Sequence, residues 1–574
     1  MAACLAVAAP TLIAFNLPPS ATFFNQAAAL AGWGIWLVLL SNVSPRRSRR
    51  IGSGLCALLA ALAVLLLAAL ASPLWNGLTW PLVLSSVGLI AAAGLAASVA
   101  SAARHAGLGV ASFRAFCVAL LVAGAGSALI GIVQVFVPAW ADGNWIARSA
   151  IEGRAVGNLR QPNHLSSLLL WSMIALAWLG EIGLLRRAVS AGLMLPMLLA
   201  LVLGASRTGM LGVAMLAVWG VLDARLSRST RVMLWLVPLL YVVLWIGVAS
   251  WAHEQQHVFG GETQLTKADI SSSRFGIWSN TFALIAAHPW LGVGFGEFNF
   301  AWSLTPFPGR PVAFFDHTHN LPLQLAVELG LPLASLVLAL LAWALWRALS
   351  GALQTEPDAD KEQASMPRAA FVMVLMICVH SLLEYPLWYA YFLLPAAFAF
   401  GLCLGGPAMG DSLVAQHKTD RPATRPLLIA SMLLVFGGAV SVLDYLRVVT
   451  IFAPPANAAP LAQRIADGQQ SWFFSHHADY AAVTTAEHPS QVMPAFAGAT
   501  HYLLDARLMM AWAKALDEAG DSDRARYVAQ RLKEFRNEQA DEFFAPCKAL
   551  PKDAKAAPFQ CLEPTKPLSY EDFR

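Results

Sequence analysis

Five short stretches concentrate residue types that can do chemistry: "GNLRQPNHLSS" (157–167), "GASRTG" (204–209), "SSSRFGIW" (271–278), "FFDHTHN" (314–320) and "HSLLEYPLWY" (380–389). Arg160, Arg207 and Arg274 offer planar guanidinium forks that match phosphate oxygens two at a time. His317 and His319 stand two residues apart, so they share a face of an extended segment and point about 200° apart on a helix. An imidazole titrates near neutrality, which suits general-base work, and Asp316 or Glu384 could orient it. The structural alternative for a histidine beside a membrane span is a helix cap or a buried hydrogen bond. A metal would need more ligands at set spacing. Asp316 and His288 are candidates, yet no HExxH or CxxC pattern supports them, so neither metal nor cofactor is expected.

The elements that must hold these residues are apolar. Hydrophobic residues make up 57% of the chain and charged ones 13%, with a mean hydropathy of +0.58, whereas charged residues are about 25% of a soluble protein. The class is therefore an all-α polytopic membrane protein. The net charge of +4 comes from arginine clusters between apolar segments, so it speaks of topology and not of a nucleic-acid partner. A span needs about 20 apolar residues. About thirteen segments qualify, near 2–17, 26–43, 52–72, 80–102, 115–137, 164–184, 189–204, 208–223, 232–250, 321–346, 369–384, 387–408 and 427–446. The first reads as a span and not as a removed signal peptide, since no small-residue cleavage site precedes a soluble domain.

Lys and Arg test that count, because they gather in cytoplasmic loops. With the N-terminus inside, 44–50, 104–114, Arg186 with Arg187, the Arg225, Arg228 and Arg231 loop, 347–368, and the stretch of Lys418, Arg421 and Arg425 all fall on the cytoplasmic side. The opposite loops near 18–25, 73–79 and 385 carry neither residue. An odd number of spans puts the tail from about 450 outside, in a bacterium the periplasm. All five polar stretches then lie at that outer face, where ionisable groups are by default functional. Arg148, Arg154 and Arg310 read instead as interfacial anchors. Arg160, Arg207 and Arg274 in an apolar outer cavity point to a lipid-linked pyrophosphate.

A loop of about seventy residues precedes the span at 321, long enough to have structure or function of its own. Within it, 273–290 has the pattern of an amphipathic helix with Phe275, Trp278, Phe282 and Ile285 on one face, suited to a membrane surface. The tail shows two amphipathic helices over 503–535 broken at "EAGD", a tetratricopeptide-like hairpin that either docks a partner or caps the membrane domain. Cys4, Cys56, Cys117, Cys378 and Cys403 lie in apolar segments. Cys547 and Cys561, fourteen residues apart in the polar tail, are a disulfide candidate if that tail faces an oxidising compartment.

The stretches "ASRTG", "SRFGIWSNTFALIAAHPWLGVGFGEF" and "HTHNLPLQLAVELGLP" resemble, in order, blocks of the O-antigen ligase and polymerase superfamily. "NLPPSATFFNQ" (16–26), "RQPNHLSSLLLW" (160–171) and "HSLLEYPLWYAYFLLP" (380–395) are similar to the subgroup of bacterial protein O-oligosaccharyltransferases that glycosylate pilin, the PglL type. The resemblance implies a GT-C-like fold of about 13 transmembrane helices, with a long periplasmic loop and a TPR-like periplasmic domain at the end. It implies en bloc, inverting, metal-independent transfer of a glycan from undecaprenyl pyrophosphate to a Ser or Thr hydroxyl of a pilin or other periplasmic protein, at the inner membrane. His319 matches the family's essential histidine, and Arg207 and Arg274 match arginines proposed to hold the pyrophosphate. Gln161 and Tyr385 match positions tied to activity in the subgroup. Arg160, Asn163, His164, His317, Asn320 and Glu384 lie in matched blocks as substrate-binding candidates.

The expected organisation is an N-terminal transmembrane region at 1–190, a ligase-like core at 191–346 with its periplasmic loop at 251–320, C-terminal transmembrane helices at 347–449, and a helical periplasmic domain at 450–574. An O-antigen ligase acting on lipid A core, or an O-antigen or capsule polymerase, would share the donor and change the acceptor. A transporter or flippase would share the spans but has no reason to gather its polar clusters at one face.

Overall fold

A computed structural model of the chain describes residues 1–43, 51–266, 269–354, 360–405, 425–548 and 557–574. Every regular element among them is a helix. The basic stretch 44–50, Lys267, 355–359 of the expected 347–368 loop, and Lys418 and Arg421 lie outside the described residues. Nine helices among the described residues are long and apolar enough to cross a membrane: Phe23–Asn42, Ser53–Trp75, Trp80–His105, Gly109–Phe136, Arg187–Gly204, Arg228–Gln255, Leu321–Leu353, Lys361–Ser381 and Arg425–Phe452. The other four of the thirteen expected spans are also helices. Ala2–Leu12, Arg207–Leu222 and Ala390–Leu404 are short. The fourth, Pro162–Glu181, buries 18 of its 20 residues inside the protein.

The chain forms two compact units. The first comprises Met1–Leu62, Leu89–Lys267 and Ala339–Val442. At its centre stands Pro162–Glu181, whose buried indoles donate to partners, Trp171 to the Met373 carbonyl (2.9 Å) and Trp178 to the Ser365 hydroxyl (3.0 Å). Pairing matters because a buried N–H without an acceptor is costly. Trp33, Trp36, Phe116 and Phe398 form an aromatic cluster beside it, with ring centroids as close as 4.7 Å. Small residues let helices approach: a side-chain carbon at Gly32 would fall 2.4 Å from the Leu5 carbonyl oxygen.

The second unit comprises Ala63–Gly88, Ala268–Leu338 and Leu443–Arg574. Here Leu321–Leu353 breaks at Gly330 (φ 73°, ψ 165°), two residues before Pro332. The break frees carbonyls that the helix would otherwise use. Val293 and Gly294 fill the gap by donating to the carbonyls of Val327 (2.8 Å) and Glu328 (3.0 Å). A side chain at position 330 would collide with the Trp290 carbonyl, so glycine is required there twice over, by conformation and by space.

The helix predicted over 273–290 runs Asp269–Ala287. Its expected face is split. Phe275 and Phe282 point outward, 65% and 58% exposed, whereas Ile277, Leu284 and Ile285 are buried. Trp278 turns to the Thr318 carbonyl (2.9 Å). The apolar residues outnumber what one stripe can hold, so the protein interior takes one set and leaves the phenylalanines outside.

The tail is helical from Leu461. The hairpin is formed by Ala506–Glu518 and Ser522–Glu534, each capped by an aspartate at its start, Asp505 and Asp521, with Gly520 at positive φ in the turn. Cys547 and Cys561 are joined, with Cα atoms 5.3 Å apart. Unfolded protein that has not been reduced should therefore expose five of the seven thiols to alkylation, and seven after reduction. Seven labelled without reduction would show that the bond does not form.

In the helix Ser475–Thr485, burial pushes His476 well down and His477 to about 4, and the positive charge of His477 lowers His476 further. Both rings pack on Tyr502 (4.2 and 5.0 Å). An unfolded histidine titrates near about 6.5, so between pH 6.5 and 4 the unfolded chain binds the extra protons and stability falls as pH falls. Asp479 opposes this, since burial lifts it to about 6 and its contribution is lost as pH rises. With two histidines against one aspartate, thermal melting should occur at lower temperature at pH 4.5 than at pH 7, and His477→Gln should shrink the difference.

Candidate functional site

Three of the five polar stretches meet in the first unit. The helix Pro162–Glu181 starts at Gln161, with Pro162 at its first position, where a missing N–H costs nothing. At the next position the Asn163 amide joins two other elements. Its nitrogen donates to Glu384 Oε1 (2.9 Å), and its oxygen accepts from the Ser206 hydroxyl (2.5 Å). Ser206 in turn caps the helix Arg207–Leu222 by accepting from the Gly209 N–H (3.1 Å). One amide thus ties RQPNH, SRTG and LEYP together. Arg207 follows the cap and is exposed. His164 is buried, with Nδ1 3.2 Å from the Tyr391 hydroxyl and its ring against Tyr389 and Phe392. Tyr385 stacks on Tyr389 at 6.2 Å.

The arginines divide by what they touch. Arg154 is buried and gives Nε and Nη2 to the Gly204 carbonyl and Nη2 to that of Ala205, clasping the turn before Arg207. Burial lowers it to about 10. Arg310 is buried in the second unit beside Glu534 (3.3 Å), and burial lowers it also to about 10. Neither is the interfacial anchor expected from the sequence; both hold backbone. Exposed Arg148 donates to the Ala141 carbonyl (3.1 Å). Arg160 is intermediate. It donates to the Ala14 carbonyl (2.5 Å), and partial burial lowers its pKa. Asn158, two residues earlier, donates to the Leu12 carbonyl (2.7 Å), so the NLPPS and RQPNH regions adjoin.

The other two stretches meet in the second unit. Trp278, one turn after Arg274, donates to the Thr318 carbonyl, which fixes the Arg274 helix against the HTHN turn. Thr318 is held further by Gln324, whose side-chain oxygen accepts its N–H (2.8 Å). Asn320 starts the next helix, its oxygen accepting from the Leu323 N–H (3.0 Å). His317 Nδ1 lies 3.1 Å from Asp316 Oδ1. Burial, the largest influence, would raise the Asp316 carboxyl, but His317 beside it, together with His319 and its own backbone N–H, holds it below its usual value. His319 is half-buried, its ring edge-on to Phe315 at 5.4 Å. His288 pairs with Tyr570 (3.2 Å) and sits 3.9 Å from Glu571.

Backbone strain marks the same places. Among the described residues, five non-glycine residues have positive φ, and three are Arg160 (60°), Ala205 (47°) and His319 (56°), within or beside RQPNH, SRTG and HTHN. Such conformations cost a non-glycine residue about 1–2 kcal/mol and persist where surrounding contacts impose them, often at functional sites. Sequence reasoning missed this, along with Ser206, Tyr391 and the bond from Trp278, placed only on a membrane-facing stripe, to the HTHN turn. A serine standing directly before the apolar run of 207–222 could have pointed to Ser206 as a cap.

A helical membrane chain with polar turns of this kind is the setting in which the comparisons with known proteins fall. The O-antigen ligase family model matches residues 192–346. The model for the C-terminal part of a virulence-factor membrane-bound polymerase matches 368–545, and the protein glycosylation ligase model matches 155–179. The chain is similar to the general O-oligosaccharyltransferase of Acinetobacter baylyi, 27% identical over 257 residues, 43% of each chain. It is similar also to the ComP-specific O-oligosaccharyltransferase of the same species, 26% identical over 264 residues, 44% of each. The match spans less than half the length of these relatives. The resemblance to the O-antigen ligase and polymerase superfamily, PglL type, is borne out by these matches.

Replacing Asn163 tests the amide bridge. Asn163→Ala removes two part-buried hydrogen bonds and should cost roughly 1–3 kcal/mol, seen as a lower melting temperature in detergent. Asn163→Asp should cost more, because it sets a second carboxylate against Glu384.

Proposed function

We propose that the chain is a protein O-oligosaccharyltransferase of the inner membrane, with its active site and its tail from about 450 facing the periplasm. It moves a preassembled glycan from undecaprenyl pyrophosphate to a Ser or Thr hydroxyl of a pilin or another periplasmic protein, with inversion and without a metal. The observation that supports this most directly is His319, a strained histidine in the HTHN turn of a chain that also matches the protein glycosylation ligase model over RQPNH.

In this reading the acceptor hydroxyl gives its proton to a ring nitrogen of His319 while its oxygen bonds to the anomeric carbon. The bond from that carbon to the pyrophosphate oxygen breaks, and the electron pair leaves with the pyrophosphate. Arg207 and Arg274 carry the charge that gathers there. Lipid pyrophosphate is a good leaving group, so positioning supplies much of the rest. Gln161 Oε1 is buried at the start of a 20-residue helix without a partner among the described residues, which suits it to accept from a substrate hydroxyl. Tyr385, His164, His317, Asn320 and Glu384 would line or brace the same substrates.

The polymerase match over 368–545 favours one rival, in which a glycan hydroxyl replaces the protein hydroxyl. Purified protein, a lipid-linked oligosaccharide and a pilin separate the two. The pilin should gain the mass of the whole glycan with wild type, and His319→Ala should slow this at least about 100-fold. Glycan chains that lengthen on lipid while the pilin stays unmodified would show the polymerase instead.

A further inference from the structure

We infer that the C-terminal helical hairpin is a positioning element of the transferase site, with Glu534 and Phe535 acting on His319 through the loop that bears it. This rests on the function proposed above. The loop between Phe298–Leu304 and Leu321–Leu353 has little regular structure of its own, yet it carries His317 and His319. Trp278 and Gln324 hold it at Thr318, and residues of the tail hold it over 305–314. Glu534, the last residue of Ser522–Glu534, lies 3.3 Å from the fully buried Arg310 guanidinium and accepts from the Phe307 N–H (3.4 Å). Arg310 bonds in turn to the carbonyls of Ser303 (3.2 Å) and Thr305. Arg531 holds the other Glu534 oxygen (2.7 Å). Phe535 lies under the Arg310 guanidinium at 4.4 Å and stacks on Phe314 at 3.9 Å.

From Phe535 the contacts run without a gap to the histidine. Phe535 meets Trp302 at 5.4 Å, Trp302 meets Phe315 at 5.8 Å, and Phe315 meets the His319 ring at 5.4 Å. Arg536, next in the chain, is held at φ 50° and donates to the Arg310 carbonyl (3.0 Å). The strain therefore appears at both ends of this path, at Arg536 and at His319. Interiors packed this closely pass displacement on instead of absorbing it, and misplacing a catalytic group by about 1 Å can cost 100-fold in rate.

The test compares wild type with Glu534→Gln, Phe535→Leu, Phe535→Tyr and Arg536→Ala, purified as full chains, with lipid-linked oligosaccharide and pilin. Glu534→Gln and Phe535→Leu should lower kcat at least tenfold while KM for pilin and for donor stays within twofold, and Phe535→Tyr, which keeps the stacked ring, should recover most of the rate. Arg536 is exposed, so Arg536→Ala should fold and should lower kcat about threefold. A wild-type kcat in folded Phe535→Leu and Arg536→Ala would overturn the inference, as would a change confined to KM for pilin, which is what a docking surface would give. If His319→Ala in the same assay transfers at the wild-type rate, the proposed function fails instead.

Discussion

Helices that end inside an apolar protein leave N–H and carbonyl groups with no water to bind, and each such group is costly. Much of the polar chemistry in the first unit answers that constraint. Asn25 donates to the carbonyls of Pro10 and Ile13 (both 2.8 Å), where Ala2–Leu12 stops. Asn158 takes Leu12, Arg160 takes Ala14, Arg154 takes Gly204 and Ala205, and Ser206 caps the next helix. The short helices depend on these partners. Because the partners are charged, amide-bearing or hydroxyl-bearing, the breaks they stabilise are also the places where polar ligands could be held.

The second unit meets the same constraint with longer reach. The break at Gly330 is satisfied by backbone from 293 and 294. Buried Glu297 meets His501 of the tail at 2.9 Å, and the Tyr527 hydroxyl donates to the Leu304 carbonyl (2.7 Å). The tail is thus bonded to the histidine-bearing segment at many points. Of the two roles weighed from the sequence, docking a partner and capping, these contacts add a third, which is bracing the loop.

Much was legible without coordinates. Each of the thirteen apolar segments contains a helix among the described residues, and the hairpin turns at Gly520 inside the predicted "EAGD". What failed was the division of labour among similar residues. Arg154 and Arg160 lie six residues apart in one loop, and nothing in their neighbours along the chain shows that one is consumed by two carbonyls and the other only half-engaged. The predicted face of the 273–290 helix held only for Phe275 and Phe282 for a like reason, since periodicity counts apolar positions but does not say which stripe the interior can admit.

The sequence by itself determined the helical class, the apolar spans and the positions where polar residues interrupt them, because hydropathy and motif are properties of neighbouring residues. Only the tertiary structure decided that Asn163 joins Glu384 to Ser206, 221 and 43 residues away, that His317 has Asp316 for company while His319 sits in a left-handed turn, and that Phe535 stacks on Phe314. Hydrogen bonds and ring stacking act over a few ångströms in space. Distance along the chain carries no record of which groups come within that range.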